Sequence, residues 1–169
     1  MFKNTIFRRM TALVLTLALA AAAALPGLAV YPMPIQTAKE TEAVYLFNAD
    51  TGKTILNQNA DQQQYVASLT KLMTALLLLE SGKDLNGEVT VPTALTQEFR
   101  DIQNANGTTM GLRIGETVRR IDLLNAMLIV SANDAASVIA YDVGGSVLDF
   151  VKQMNARAQE LGCTGTNFT

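Results

Sequence analysis

The chain has 169 residues and not one histidine, which excludes a Ser-His-Asp triad, and its single cysteine excludes an internal disulfide. With almost no Cys or His, no zinc cluster can be built from those ligands. Lys and Arg number 13 against 15 Asp and Glu, and this mildly acidic balance argues against a nucleic-acid partner.

Lys3, Arg8 and Arg9 make a positive start, Met10 to Ala24 is almost unbroken apolar sequence, and Leu25-Pro26-Gly27-Leu28-Ala29 closes it with small residues. That pattern predicts a signal peptide over residues 1–29, cleaved after about Ala29. The apolar run is short for a membrane span, which favours cleavage over an uncleaved anchor. No cysteine lies near the junction, so no lipid-modified start is expected. The protein is expected to be exported, to the periplasm or the outer face of the cytoplasmic membrane. Any membrane contact would come only through parts outside this chain. Residues 30–42, with Pro32 and Pro34, read as a linker, and residues 43–169 read as the folded part.

Ala43 to Phe47 reads as a strand, Asp50-Thr51-Gly52-Lys53 as a hairpin turn, and Thr54-Ile55-Leu56 as the return strand. Asp50 to Lys53 is no phosphate loop, because the upstream glycine is missing. Asn57 to Gln64 is polar and reads as loop. From Leu69 to Leu79 the sequence is apolar nearly all round, which predicts a buried helix ending at Ser81-Gly82. Lys83 to Glu116 has little periodicity. Val89-Thr90-Val91 is a candidate short strand, and Asn104 to Thr109 is loop-like. Thr117 is the expected N-cap of a helix carrying Val118, Ile121, Leu124 and Leu128 on one face. After a break at Ser131-Ala132-Asn133, Asp134 is expected to cap a helix over Ala135 to Val143, which ends at Gly144-Gly145. Ser146 is expected to cap the last helix, whose stripe runs from Val147 to Leu161 and stops at Gly162. Two strands do not cover an all-apolar helix. A partner sheet is therefore expected beyond Thr169, in a longer protein.

The candidate chemistry lies at Ser68-Leu69-Thr70-Lys71 and Ser131-Ala132-Asn133. Without histidine, lysine is the next available base for a serine nucleophile. Spacing of i and i+3 on a helix lets Ser68 and Lys71 meet. The helix start and burial both oppose a charge on Lys71, lowering its pKa toward that of a general base. Each motif alone is weak, since serine begins many helices and Ser and Asn are ordinary loop residues. Backbone N–H groups at Ser68 are placed to face an oxyanion.

Taken together, Ala67 to Ala75, Gly111 to Thr117, Asp122-Leu123-Leu124, Leu128 to Ala136, and Thr166-Asn167-Phe168 resemble the penicillin-binding D-alanyl-D-alanine carboxypeptidases, over roughly Ala43 to Thr169. The resemblance implies an α/β protein of the β-lactamase/penicillin-binding transpeptidase-like fold, truncated to its N-terminal part. It implies Ser68 as nucleophile, Lys71 as its base, Ser131 as proton relay to the leaving amine, and Asn133 as the residue holding the substrate amide and Lys71. The implied substrate is a peptidoglycan stem peptide ending in D-Ala-D-Ala. β-Lactams would be covalent inhibitors at Ser68, and no metal or organic cofactor is implied. The family's third element, Lys-Thr-Gly on a strand lining the site, is absent from the 169 residues, so it is expected beyond Thr169 and the fragment alone is expected to be inactive. A serine β-lactamase of the same superfamily is a rival reading, disfavoured by Ala132 where class A enzymes usually carry aspartate. A non-catalytic wall-binding or sensory relative is a second, disfavoured by the intact set of four polar residues.

Overall fold

The computed structural model describes residues 42–169, so the leader and all of the linker but Glu42 lie outside the described residues. The chain divides into two compact units between Gln58 and Asn59.

In the first unit, β1 (Val44–Asn48) pairs antiparallel with β2 (Lys53–Gln58), with an irregularity between Leu46 and Phe47. The predicted turn is there. Gly52 takes a positive φ of 68°, and Asn48 Oδ1 accepts from the Thr51 N–H at 2.8 Å. β2 runs on to Gln58, so Asn57 and Gln58 belong to the strand and not to the expected loop.

The second unit is mostly helical. A 3-10 turn, Ala67–Leu69, leads into α1 (Thr70–Glu80). β3 (Glu88–Thr90), α2 (Thr96–Asn104), β4 (Thr117–Arg119) and α3 (Arg120–Ile129) follow. α4 (Asn133–Gly144) and α5 (Val147–Glu160) complete it.

Four further expectations need correction. Thr117 is not a helix cap: it pairs with Thr90 in a short β3–β4 sheet, and α3 begins three residues later behind Arg119. The β-branched pair Val89 and Val118, directly opposed and half-buried, gives that segment to the sheet. α2 went unrecognised because only Phe99 and Ile102 are apolar in its nine residues, too few for a visible period. α1 is not buried all round. Lys71, Thr74, Ala75 and Leu78 form its buried face at three- and four-residue spacing, while Leu69, Leu72 and Leu79 are 63%, 61% and 55% exposed. Finally, α4 starts at Asn133 behind Ala132, so Asp134 sits inside its first turn rather than at its cap.

Ser146 does cap α5, its Oγ accepting from the Asp149 N–H at 3.0 Å, and Gly145 closes α4 in the left-handed region. The core gathers α1, α3 and α4 around Leu78, Leu123, Met127, Val138 and Ile139, all at most 1% exposed. Phe150 and Met154 of α5 form a second cluster with Ala140. Arg120 donates two bonds to Asp142, at 2.7 and 3.0 Å, and ties the start of α3 to α4. Burial pushes the Asp142 carboxyl up, but Arg120 and Lys83 more than reverse that and hold it below the usual carboxylate range.

The α4–α5 corner is packed to contact. A Cβ on Gly144 would lie 2.7 Å from Phe150 Cβ and 2.8 Å from its N and Cα. Backbone cannot yield as a side-chain tip can, so Gly144→Ala is expected to cost about 2–3 kcal/mol in urea unfolding.

Candidate active site

The buried face of α1 carries Lys71 inward from the helix's first turn, and the preceding 3-10 turn places Ser68 one turn before it. The segment joining α3 to α4 brings Ser131, and the first residue of α4 brings Asn133, to the same spot. Ser68 and Ser131 hydroxyl oxygens lie 2.7 Å apart. Lys71 Nζ donates to Ser68 Oγ at 3.3 Å, to Ser131 Oγ at 3.2 Å and to Asn133 Oδ1 at 2.7 Å. All four residues singled out in the sequence therefore meet in one hydrogen-bonded cluster. Ser68 is exposed and Lys71 is buried, so the amine reaches the serine from behind.

Lys71 has only neutral partners in that cluster. Burial lowers its pKa from the ordinary lysine value, and among the described residues no carboxylate bonds to it to reverse the effect. A neutral amine has two N–H donors and one lone pair. Once deprotonated, with one donor on Asn133 Oδ1 at the shortest distance, the amine would have its lone pair to turn toward one of the two hydroxyls it now contacts.

The backbone at the site is strained. Ala67 and Ser131 both adopt positive φ, 46° and 61°, which costs about 1–2 kcal/mol for a residue with a Cβ. Ser131 is held there from both sides. Val130 and Ala132 N–H groups both bond Ala126 O, and Asn133 N–H bonds Thr108 O at 2.8 Å.

The sequence did not disclose how the 107–112 segment is fixed. Asp134, 2% exposed, accepts from Met110 N–H through Oδ1 and from Gly111 and Leu112 N–H through Oδ2, each at 3.0 Å. Its Oδ1 also takes the Ala135 N–H at 2.9 Å. A cap signal at Asp134 and a loop signal at Asn104 to Thr109 were both visible, but nothing in spacing links residues 22 to 24 apart. Among the described residues no cluster of three or more His, Cys, Asp or Glu is placed to hold a metal ion.

The family described as D-alanyl-D-alanine carboxypeptidase matches residues 32–169. The chain belongs to the D-alanyl-D-alanine carboxypeptidase family. It is 33% identical over 136 residues to D-alanyl-D-alanine carboxypeptidase DacF of Bacillus subtilis, covering 79% of this chain and 33% of that protein. It is 32% identical over 136 residues to the D-alanyl-D-alanine endopeptidase of Pseudomonas aeruginosa, covering 80% of this chain and 42% of the relative. The crystal structure of the Streptomyces K15 DD-transpeptidase superposes with a TM-score of 0.67 at 31% identity, over 75% of this chain and 51% of that one. The carboxypeptidase family chain thus spans a third to about half the length of these relatives, and within that span has the mixed α/β penicillin-binding fold.

Proposed function

We propose that the natural protein carrying this chain is a serine D-Ala-D-Ala carboxypeptidase of the bacterial cell wall, exported through the leader at residues 1–29. The observation that carries the reading is the buried, neutral-partnered Lys71 amine lying 3.3 Å from Ser68 Oγ.

In this reading Lys71 takes the Ser68 proton as Oγ attacks the carbonyl of the penultimate D-alanine of a stem peptide. The backbone N–H of Ser68 is one donor to the resulting oxyanion, and a donor of this kind is worth about 3 kcal/mol. The C–N bond then breaks and Ser131 passes the proton to the departing D-alanine amine. The 2.7 Å contact between the two serines and the 3.2 Å contact from Lys71 to Ser131 support that relay. Water then hydrolyses the ester, releasing the shortened peptide and restoring Ser68. Asn133 steadies Lys71 through Oδ1 and has its Nδ2 for the substrate amide. The chain spans a third to about half of these relatives' length, so the activity is proposed of the whole protein.

Fluorescent penicillin tests the assignment. The natural protein is expected to be labelled stably, and Ser68→Ala is expected to remove the label. Equal labelling of Ser68→Ala would sink the nucleophile, and fast turnover of the drug would point to a β-lactamase.

A further inference from the structure

Asn133 is aimed by more than its own helix. A Cβ built on Gly107 would lie 2.9 Å from Asn133 Nδ2, 3.0 Å from Ile102 Cγ2 and 3.1 Å from Ile102 O. Gly107 is not in the left-handed region, so the requirement for glycine here is one of space and not of backbone angle. The segment cannot back away to make room. Gly107 N–H bonds Ile102 O at 2.8 Å, Thr108 O takes the Asn133 N–H at 2.8 Å, and the Asp134 carboxylate holds Met110, Gly111 and Leu112. Of the three atoms a methyl at 107 would meet, one is backbone and one is the γ-methyl of a β-branched side chain. The Asn133 amide is the softest of them.

We infer that Gly107 is a positioning residue: by having no side chain, it lets the Asn133 amide stand with Oδ1 on Lys71 Nζ and Nδ2 toward Gly107. The inference rests on the proposed peptidase reading for its catalytic meaning. Asp134 and Thr108 act in the same brace by keeping the 107–112 segment against the first turn of α4. A methyl at position 107 turns the amide. Lys71 then loses its 2.7 Å partner, and the lone pair is no longer directed at Ser68.

The test is a double-variant cycle on the natural protein with Gly107→Ala and Asn133→Ala, read by the rate of acylation by benzylpenicillin and by the Asn133 side-chain amide signals in 15N spectra. Gly107→Ala is expected to slow acylation about 10- to 100-fold and to move the Asn133 amide pair, as a displacement of under 1 Å suffices for such losses. Added to Asn133→Ala, it is expected to change the rate less than about 2-fold, since the group it displaces is gone. An equal loss in both backgrounds, or an unmoved Asn133 signal in Gly107→Ala, overturns the inference. Should Gly107→Ala fail to fold, recovery of folded protein in the double variant upholds it. Failure of the double variant as well places the clash on Ile102 and overturns it. If the wild type does not react with penicillin, the peptidase reading falls, and the amide signals still decide whether Gly107 aims Asn133.

Discussion

Lys71→Met is expected to slow acylation of the natural protein by penicillin about 100- to 10,000-fold, the range for losing a general base, without unfolding it. The side chain is 9% exposed and has only neutral hydrogen-bond partners, so burial costs the ammonium more than the amine. For the wild type, acylation should climb with pH as Lys71 loses its proton, and in Lys71→Met that acid limb should vanish. The sign for stability runs the same way. The folded pKa lies below the unfolded one, so between the two the unfolded chain binds more protons, and folding stability rises with pH until 10.5 is passed. The stabilising contribution is complete above the unfolded value and is lost as pH falls through the folded one. At neutral pH, methionine fills the same space with no charge to desolvate, and Lys71→Met is expected to raise the unfolding free energy by about 1 kcal/mol. Urea unfolding at pH 7 checks this. An unfolding free energy that falls by that amount would show that the hydrogen bonds to Ser68, Ser131 and Asn133 outweigh the desolvation of the ammonium.

Asp134→Asn is expected to be the most damaging conservative change in the unit, costing about 3 kcal/mol. Each carboxylate oxygen accepts two N–H groups: Oδ1 from Met110 and Ala135, Oδ2 from Gly111 and Leu112. Whichever way an amide is turned, its NH2 faces two donors at a position only 2% exposed. The loss should appear first as faster amide exchange at Met110, Gly111 and Leu112, ahead of global unfolding. Unchanged protection at those three amides would remove Asp134 from the brace.

The chemistry was more legible in the sequence than the scaffold that aims it. Ser68 and Lys71 are one helical turn apart, so local geometry alone predicts their meeting. Ser131 and Asn133 are a weak signal by themselves, because 60 residues of chain separate Lys71 from Ser131 and no periodicity spans that distance; the family resemblance is what makes the joint pattern specific. Ser146 and Gly145 could be read because caps are local events with their own residue types. Thr117 was misread for the opposite reason. A threonine before an apolar stripe is a fair cap, and only the pairing with Thr90, 27 positions back, assigns it to a strand. The apolar run in α1 concealed two faces, one packed on Leu123 and Val138 in the core and one bearing exposed Leu72 and Leu79, which hydrophobicity alone does not separate.

The left-handed twist at Ser131, φ 61°, has a consequence for how this position can vary. Threonine offers the same hydroxyl and would look like the gentlest exchange. Yet branching at Cβ is what that region of the backbone tolerates least. Glycine suits the backbone and brings no hydroxyl. Asparagine, more at ease there than most residues, brings an amide instead of an alcohol. If Ser131 relays the proton as proposed, position 131 has no single-residue detour that preserves both shape and proton traffic, and serine is locked in by two unrelated demands at once.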